Sequence, residues 1–207
     1  MISKFLKFSL TPYIFFALAT GCQGPVEIPD PEESCGFNEV DGMRLSWKEE
    51  LPITVFIEPS VPVTFYSAIR NAAYTWERGA NRRLFEIFDS TQSDDRWARV
   101  RIYWLPNSHN TFVSKGGPPK SAETSLHQVE GYPISAEIKL NAQDYKFSNT
   151  PKATDVDAES ILLHEFGHVL GLDHIAGQSS VMNESLAVGS YRRTLAPIDV
   201  SHIKCEY

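Results

Sequence analysis

Three histidines and a glutamate stand close together in the run HEFGHVLGLDH, at positions 164–174. His164 and His168 are four positions apart, and apolar residues recur around them at helical spacing. Both imidazoles are therefore expected on one face of a helix. Two imidazole nitrogens on one face can bind a single Zn²⁺ ion at about 2.0–2.1 Å. The run thus constrains this part of the chain to a helix that carries half of a metal site.

A turn after this helix is expected to supply a third ligand. Gly171 can adopt a positive φ, which ends a helix and reverses the chain, so that His174 returns to the metal. Three protein ligands leave the fourth position of a tetrahedral zinc ion open for water, as in catalytic zinc sites. Glu165 follows the first ligand directly and would lie beside the metal, where it could act as general base on that water.

The remaining residues predict a mixture of strands and helices. Patterns rich in β-branched or alternating apolar residues predict strands at 51–58, 84–88, 97–105 and 136–140. Helical spacing of apolar residues predicts helices at 63–78, 154–170 and 197–205. Thr154 or Asp155 is expected to cap the second of these helices. This order favours an α+β domain with helices packed on a mixed sheet.

The N-terminal residues have the pattern of an export signal. Residues 1–7 contain two lysines and no acidic residue, and the apolar stretch 8–19 is too short to span a bilayer comfortably. It ends in LATGC, which resembles the lipobox of bacterial lipoproteins and implies cleavage before Cys22 and a lipid on that cysteine. In a diderm bacterium, Gln23 would favour the outer membrane. The alternative is an ordinary secretory signal with a cysteine nearby.

An acidic, proline-rich stretch separates this signal from the rest of the chain. Residues 24–34 hold three prolines and four acids without an apolar period, which predicts an extended tether. We therefore expect a signal peptide at 1–21, a lipidated cysteine with its tether at 22–45, and one folded domain at 46–207. The net charge of −7 disfavours nucleic acid as a partner, because phosphate binding requires a basic surface.

The pattern HExxHxxGxxH is the signature of metzincin zinc peptidases, and HVLGLDH most resembles their matrixin branch. Met182 lies eight residues after His174, where matrixins place the methionine of their Met-turn. The resemblance implies that Met182 forms an apolar floor under the ligands; an ordinary core methionine is the alternative. The resemblance covers about residues 46–207 and implies a zincin-like α+β domain, with a twisted mixed sheet and N-terminal, active-site and C-terminal helices.

The same resemblance implies a zinc-dependent endopeptidase that acts on proteins or peptides. We expect a monomer that touches a membrane through its lipid anchor alone. Two other functions stay open: a catalytically inactive surface-binding protein on this fold, and a zinc amidase for non-peptide substrates. In such folds an extended substrate pairs with an edge strand above the cleft. We expect that edge at 97–105 or in the loop after it.

The chain also departs from the matrixin pattern. Ile175 follows the third histidine, where matrixins usually have serine, and no Pro-x-Tyr wall follows Met182. The main specificity pocket is therefore expected to differ, with Tyr191 as a candidate for part of it.

A second, structural zinc is not expected, because His109 and His127 lack the family's spacing. Calcium is not expected either, because Asp94, Asp95 and Asp144 have the context of solvated turn residues. The cofactor prediction is therefore one catalytic zinc ion.

Three cysteines are present. Lipidation of Cys22 would leave Cys35 and Cys205 in an oxidising compartment, which predicts a disulfide between them. The alternative is a regulatory thiol, because Cys35-Gly36 faintly resembles the cysteine switch of matrixin propeptides, although the flanking residues of that switch are missing.

Overall fold

The computed structural model describes residues 35–92, 97–107, 112, 119–176 and 179–207. Nine strands, three α-helices and two short 3₁₀ helices occur in these residues. The strands are β1 (Glu39–Val40), β2 (Met43–Arg44), β3 (Ile53–Ile57), β4 (Phe85–Asp89), β5 (Val100–Leu105), β6 (Ala122–Val129), β7 (Tyr132–Asn141), β8 (Phe147–Ser148) and β9 (Val156–Asp157). The α-helices are α1 (Tyr66–Ala80), α2 (Ala158–Val169) and α3 (Pro197–Glu206), and the 3₁₀ helices are Lys48–Glu50 and Val63–Phe65. Across these described ranges, no helix is both long and apolar enough to cross a membrane.

One mixed sheet of five strands has the order β4-β3-β5-β7-β6. The first four strands of this order are parallel, and β6 runs antiparallel to β7 at the edge nearest α2. The prediction of a substrate edge at 97–105 is wrong, because β5 has a hydrogen-bonded neighbour on each side. The loop that follows β5 lies largely outside the described residues.

Two helices cover the apolar face of this sheet. α1 packs against α2, and the side chains of Trp76 in α1 and Phe166 in α2 are fully buried. The branched apolar residues of β3, β5 and β7 complete the core, with Ile53, Ile102 and Ile138 at zero exposure. The predicted helix at 63–78 is confirmed, with a 3₁₀ turn at Val63–Phe65 before the α-helix itself.

The helix that carries the histidines begins later than the sequence suggests. Asp157 caps it, because its side chain accepts a hydrogen bond from the Ser160 amide at 2.9 Å. The prediction of Thr154 or Asp155 as the cap is wrong, since β9 pairs with β8 and keeps the backbone extended as far as Asp157.

The residues just before position 46 are folded rather than extended away from the domain. Cys35 is buried and forms a disulfide with Cys205 in α3. Phe37 makes a β-bridge with Leu172, and β1 and β2 form a short hairpin after it. The folded part therefore includes residues 35–45, which the sequence analysis assigned to the tether. Cys22 and the signal lie outside the described residues.

Candidate metal centre

The three histidines of the run bring their Nε2 atoms to one point. The Nε2 atom of His168 lies 3.0 Å from that of His164 and 3.1 Å from that of His174, and the third pair is 3.3 Å apart. A tetrahedral zinc ion with bonds of about 2.0–2.1 Å requires nitrogens about 3.3–3.4 Å apart. The described residues contain this one cluster of three or more potential ligand side chains around a single point. The donor set therefore fits zinc.

Main-chain carbonyl groups set the orientation of two of these rings. The Nδ1 atom of His164 lies 2.8 Å from the carbonyl oxygen of Val181, and the Nδ1 atom of His168 lies 2.9 Å from that of Leu172. Because a carbonyl oxygen only accepts, each Nδ1 carries the hydrogen and each Nε2 keeps its lone pair. Burial lowers the pKa of both histidines to about 4, which favours the neutral imidazole that binds metal.

Gly171 makes the turn to the third histidine possible. Its φ is +98°, and a Cβ atom at this position would lie 1.9 Å from the main-chain oxygen of Leu45. The Gly171 amide also donates a 2.9 Å hydrogen bond to the carbonyl of His168, which closes the end of α2. Both the conformation and the close approach exclude a side chain here.

Glu165 lies beside the three ligands and is 5% exposed. Its Oε2 atom accepts a hydrogen bond from the Thr124 hydroxyl at 2.6 Å. Burial raises the pKa of Glu165, although His168 and the Thr124 hydrogen bond act in the opposite direction. Glu165 and the histidines line one open cleft of about 760 Å³, so the carboxylate is placed to act on a molecule held there.

The predicted Met-turn lies directly under α2. Met182 is fully buried, and a Cβ atom on Gly167 would lie 2.2 Å from the Met182 sulfur. Asp199 in α3 holds the turn, because its carboxylate accepts hydrogen bonds from the Ser180 hydroxyl and, at 3.0 Å, from the Val181 amide. No sequence pattern predicts this role of Asp199, because its contact with the turn depends on the packing of α3.

The other wall of the cleft follows the Met-turn. Tyr191 is 71% exposed and lies in a separate hollow with residues 149–151, so its assignment to the specificity pocket is wrong. The next residue, Arg192, lines both this hollow and the cleft. Its guanidinium donates to the carbonyls of Ser180 at 2.8 Å, Asn183 at 3.1 Å and Ser185 at 2.6 Å. These bonds fix a wall that has no Pro-x-Tyr sequence.

Of the other candidate residues, the two that the structure describes lie apart from the cluster. His127 is an exposed residue of β6, and Asp144 is exposed in the turn after β7. His109, Asp94 and Asp95 lie outside the described residues. That one zinc ion is bound, with no structural zinc or calcium, stays a prediction.

Two ligands on a helix, a third after a glycine turn and a buried glutamate beside them give the three-ligand arrangement of a zinc site with one open position. The family model described as matrixin matches residues 47–207, and the chain belongs to the matrixin family. The mixed sheet with three helices is the zincin-like α+β fold that the sequence predicts, and that prediction is confirmed.

Two plant proteins are among the relatives of this chain. Metalloendoproteinase 1 of Glycine max is 26% identical over 155 residues, which are 72% of this chain and 48% of that protein. Metalloendoproteinase 5-MMP of Arabidopsis thaliana is 37% identical over 57 residues, which are 28% of this chain and 16% of that protein. This chain therefore matches about half the length of the soybean protein and a smaller part of the Arabidopsis protein.

Proposed function

We propose that this chain is a zinc-dependent endopeptidase. The observation that carries the proposal is the convergence of three Nε2 atoms within 3.0–3.3 Å of one another beside a buried glutamate. His164, His168 and His174 would hold the ion. When bound, zinc acts as a Lewis acid that lowers the pKa of a coordinated water and polarises the substrate carbonyl.

The protein's own part in hydrolysis falls mainly to Glu165. Its carboxylate accepts a proton from the attacking water and later passes that proton to the leaving amine. Burial suits this role, because a carboxyl group with a raised pKa both takes and returns a proton more readily near neutral pH.

The shape of the cleft supports an extended peptide as substrate. β6 forms its upper rim, and among the described residues no strand pairs with the outer side of β6. The main-chain groups on that side are available to an added strand. Residues 183–186 line the same cleft as β6 and the three histidines, so a peptide bound along β6 would lie in the cleft that holds the histidines.

Peptide-library cleavage by the purified, zinc-loaded protein tests this proposal. We expect cleavage that a zinc chelator abolishes and that Glu165→Ala reduces about 10²–10⁴-fold. Glu165→Ala should keep its zinc, and Glu86→Ala on the far strand β4 serves as a matched control with normal turnover. Zinc binding without cleavage of any peptide would contradict the proposal and favour a surface-binding protein or an amidase for non-peptide substrates.

We also propose that the protein is exported and anchored through a lipid on Cys22, in a bacterial membrane. The support is the sequence pattern of residues 1–22. In cells fed a labelled fatty acid, the full chain should carry label and sediment with membranes, whereas Cys22→Ala should carry none. Label retained by Cys22→Ala would contradict the assignment.

A further inference from the structure

The side chain of Thr124 is in direct contact with the proposed general base. Its hydroxyl oxygen lies 2.6 Å from Oε2 of Glu165 and 3.3 Å from the main-chain oxygen of the same residue. A hydroxyl has one hydrogen to donate, and the shorter distance identifies the carboxylate as its acceptor. Across the described ranges, no other side chain donates a hydrogen bond to this carboxylate.

The register of β6 against β7 places the Thr124 hydroxyl beside Glu165. Thr124 pairs with Ile138 of β7, and strand alternation places Ala122, Thr124 and Leu126 on one face of β6. All three of these residues line the cleft. Ser125 therefore projects to the opposite face of the strand. Because β6 packs against α2, a shift of the register by one residue would move Thr124 to the other face of β6, away from Glu165.

We propose that Thr124 is a positioning residue that holds Oε2 of Glu165 and leaves Oε1 to accept the proton from the attacking water. This inference depends on the proposed endopeptidase function. A glutamate side chain rotates about three bonds, and a carboxylate that rotates away from the water loses its effect as a base. The hydrogen bond at 2.6 Å fixes one oxygen and thereby the direction of the other.

The same residue connects the base to the substrate edge. Thr124 belongs to β6, along whose outer side an extended peptide would pair. Both the binding of the peptide along β6 and the orientation of Glu165 therefore depend on the register of β6 against β7. Loss of the hydroxyl should reduce the chemical step without weakening peptide binding, because the main chain of β6 is unchanged.

Steady-state kinetics of three variants test the proposal. Thr124→Val keeps the shape and removes the hydroxyl, Thr124→Ser keeps the hydroxyl, and Ser125→Ala removes a hydroxyl on the other face of β6. We expect Thr124→Val to lower kcat about 10–100-fold with KM changed less than about threefold. Thr124→Ser should stay within about threefold of the parent protein, and Ser125→Ala should match it. A normal kcat in Thr124→Val, or a loss that Thr124→Ser does not restore, would overturn the proposal.

A second measurement does not depend on turnover. In a crystal structure of the metal-free parent protein, the Glu165 carboxylate should be hydrogen-bonded to the Thr124 hydroxyl. In a crystal structure of metal-free Thr124→Val, the Glu165 side chain should adopt another rotamer or several rotamers. An unchanged carboxylate in Thr124→Val would overturn the positioning role. Thr124→Ala replaces Thr124→Val if the latter does not fold.

The two proposals fail in different ways. If the zinc-loaded parent protein cleaves no peptide, the endopeptidase function fails, and the metal-free structures still decide whether Thr124 orients Glu165. If the parent protein is active and Thr124→Val loses zinc or thermal stability in proportion to its loss of kcat, Thr124 is a structural residue and the positioning role fails.

Discussion

The main-chain amide of Asn38 donates a hydrogen bond to the carbonyl oxygen of Gly171, 2.7 Å away. The amide of Asp173 returns a 2.8 Å bond to the carbonyl of Gly36. The segment after Cys35 is therefore hydrogen-bonded to the turn that carries the third histidine, His174. The disulfide to Cys205 fixes the start of that segment on α3.

Loss of this disulfide should weaken both the fold and the metal site. It links residues 170 positions apart, so the chain-entropy model gives up to about 5 kcal/mol of stabilisation. We expect Cys35→Ser/Cys205→Ser to unfold at a lower temperature and to release zinc at a lower chelator concentration. Thermal unfolding with and without chelator measures both effects. An unchanged melting temperature in the double variant would contradict the prediction.

A side chain at Gly171 should be far more disruptive than one at another glycine with a similar backbone. Gly42 has a φ of +77°, and a Cβ atom there would meet no other atom within 4 Å, whereas one at Gly171 would meet the Leu45 oxygen at 1.9 Å. Gly42→Ala should cost about 1–2 kcal/mol from its positive φ alone, and Gly171→Ala about 3 kcal/mol or more. Denaturant unfolding of the two variants compares them. Equal losses would show that the contact with Leu45 is unimportant.

The buried ion pair at the start of α2 should contribute strongly to stability. The Asp157 side chain is fully buried and forms an ion pair with Arg193, whose side chain is 33% exposed. Arg193→Met leaves the carboxylate without its cation and should cost about 3 kcal/mol. Arg83→Met breaks the exposed pair with Glu86 and should cost less than about 1 kcal/mol. Similar losses in both variants would contradict this difference.

The cost of Arg193→Met should also depend on pH. Burial raises the pKa of Asp157, but hydrogen bonds from Arg193 and Ser160 outweigh it and hold the pKa below the usual value of 3.8. Stability from a lowered pKa is present above the unfolded-state pKa and is lost as the pH falls through the folded-state pKa. The free-energy difference between the parent protein and Arg193→Met should therefore be largest near neutral pH and shrink below about pH 4. A difference that grows in acid would contradict this assignment.

Asp199 should matter for zinc affinity although it lies outside the ligand set. Asp199→Ala would leave the Ser180 hydroxyl and the Val181 amide without their acceptor, at about 1–3 kcal/mol for each buried group. The Val181 carbonyl also orients His164, so release of the turn should weaken zinc binding. A competition assay with a chromophoric chelator measures that affinity. Asp199→Asn, which keeps one acceptor oxygen, should fall between the parent protein and Asp199→Ala.

The ligand set could be predicted because it is local. One helix and one glycine turn are enough to bring together His164, His168 and His174, and consecutive residues of the sequence predict both. Thr124 could not be predicted, because it lies 41 residues from Glu165 and meets it through the pairing of β6 with β7. The sequence of β6, AETSLHQV, has too few β-branched or large apolar residues to be recognised as a strand.

Tertiary packing also explains the two predictions that were wrong at α2 and in the cleft wall. Asp155 is a good helix cap by residue type, but the pairing of β8 with β9 moves the start of the helix to Asp157. Tyr191 and Arg192 are neighbours, and only the path of the loop decides that the arginine reaches the cleft while the tyrosine does not. Such a choice between adjacent residues has no periodic pattern to reveal it.

The bond between Cys35 and Cys205 makes almost the whole described domain a covalent ring. For a protein proposed to cut peptides this has a practical consequence. A single cut in any loop of the ring, by this protein or another, would leave both pieces in one molecule. The nicked protein would gain only the mass of one water, and its halves would separate only after reduction.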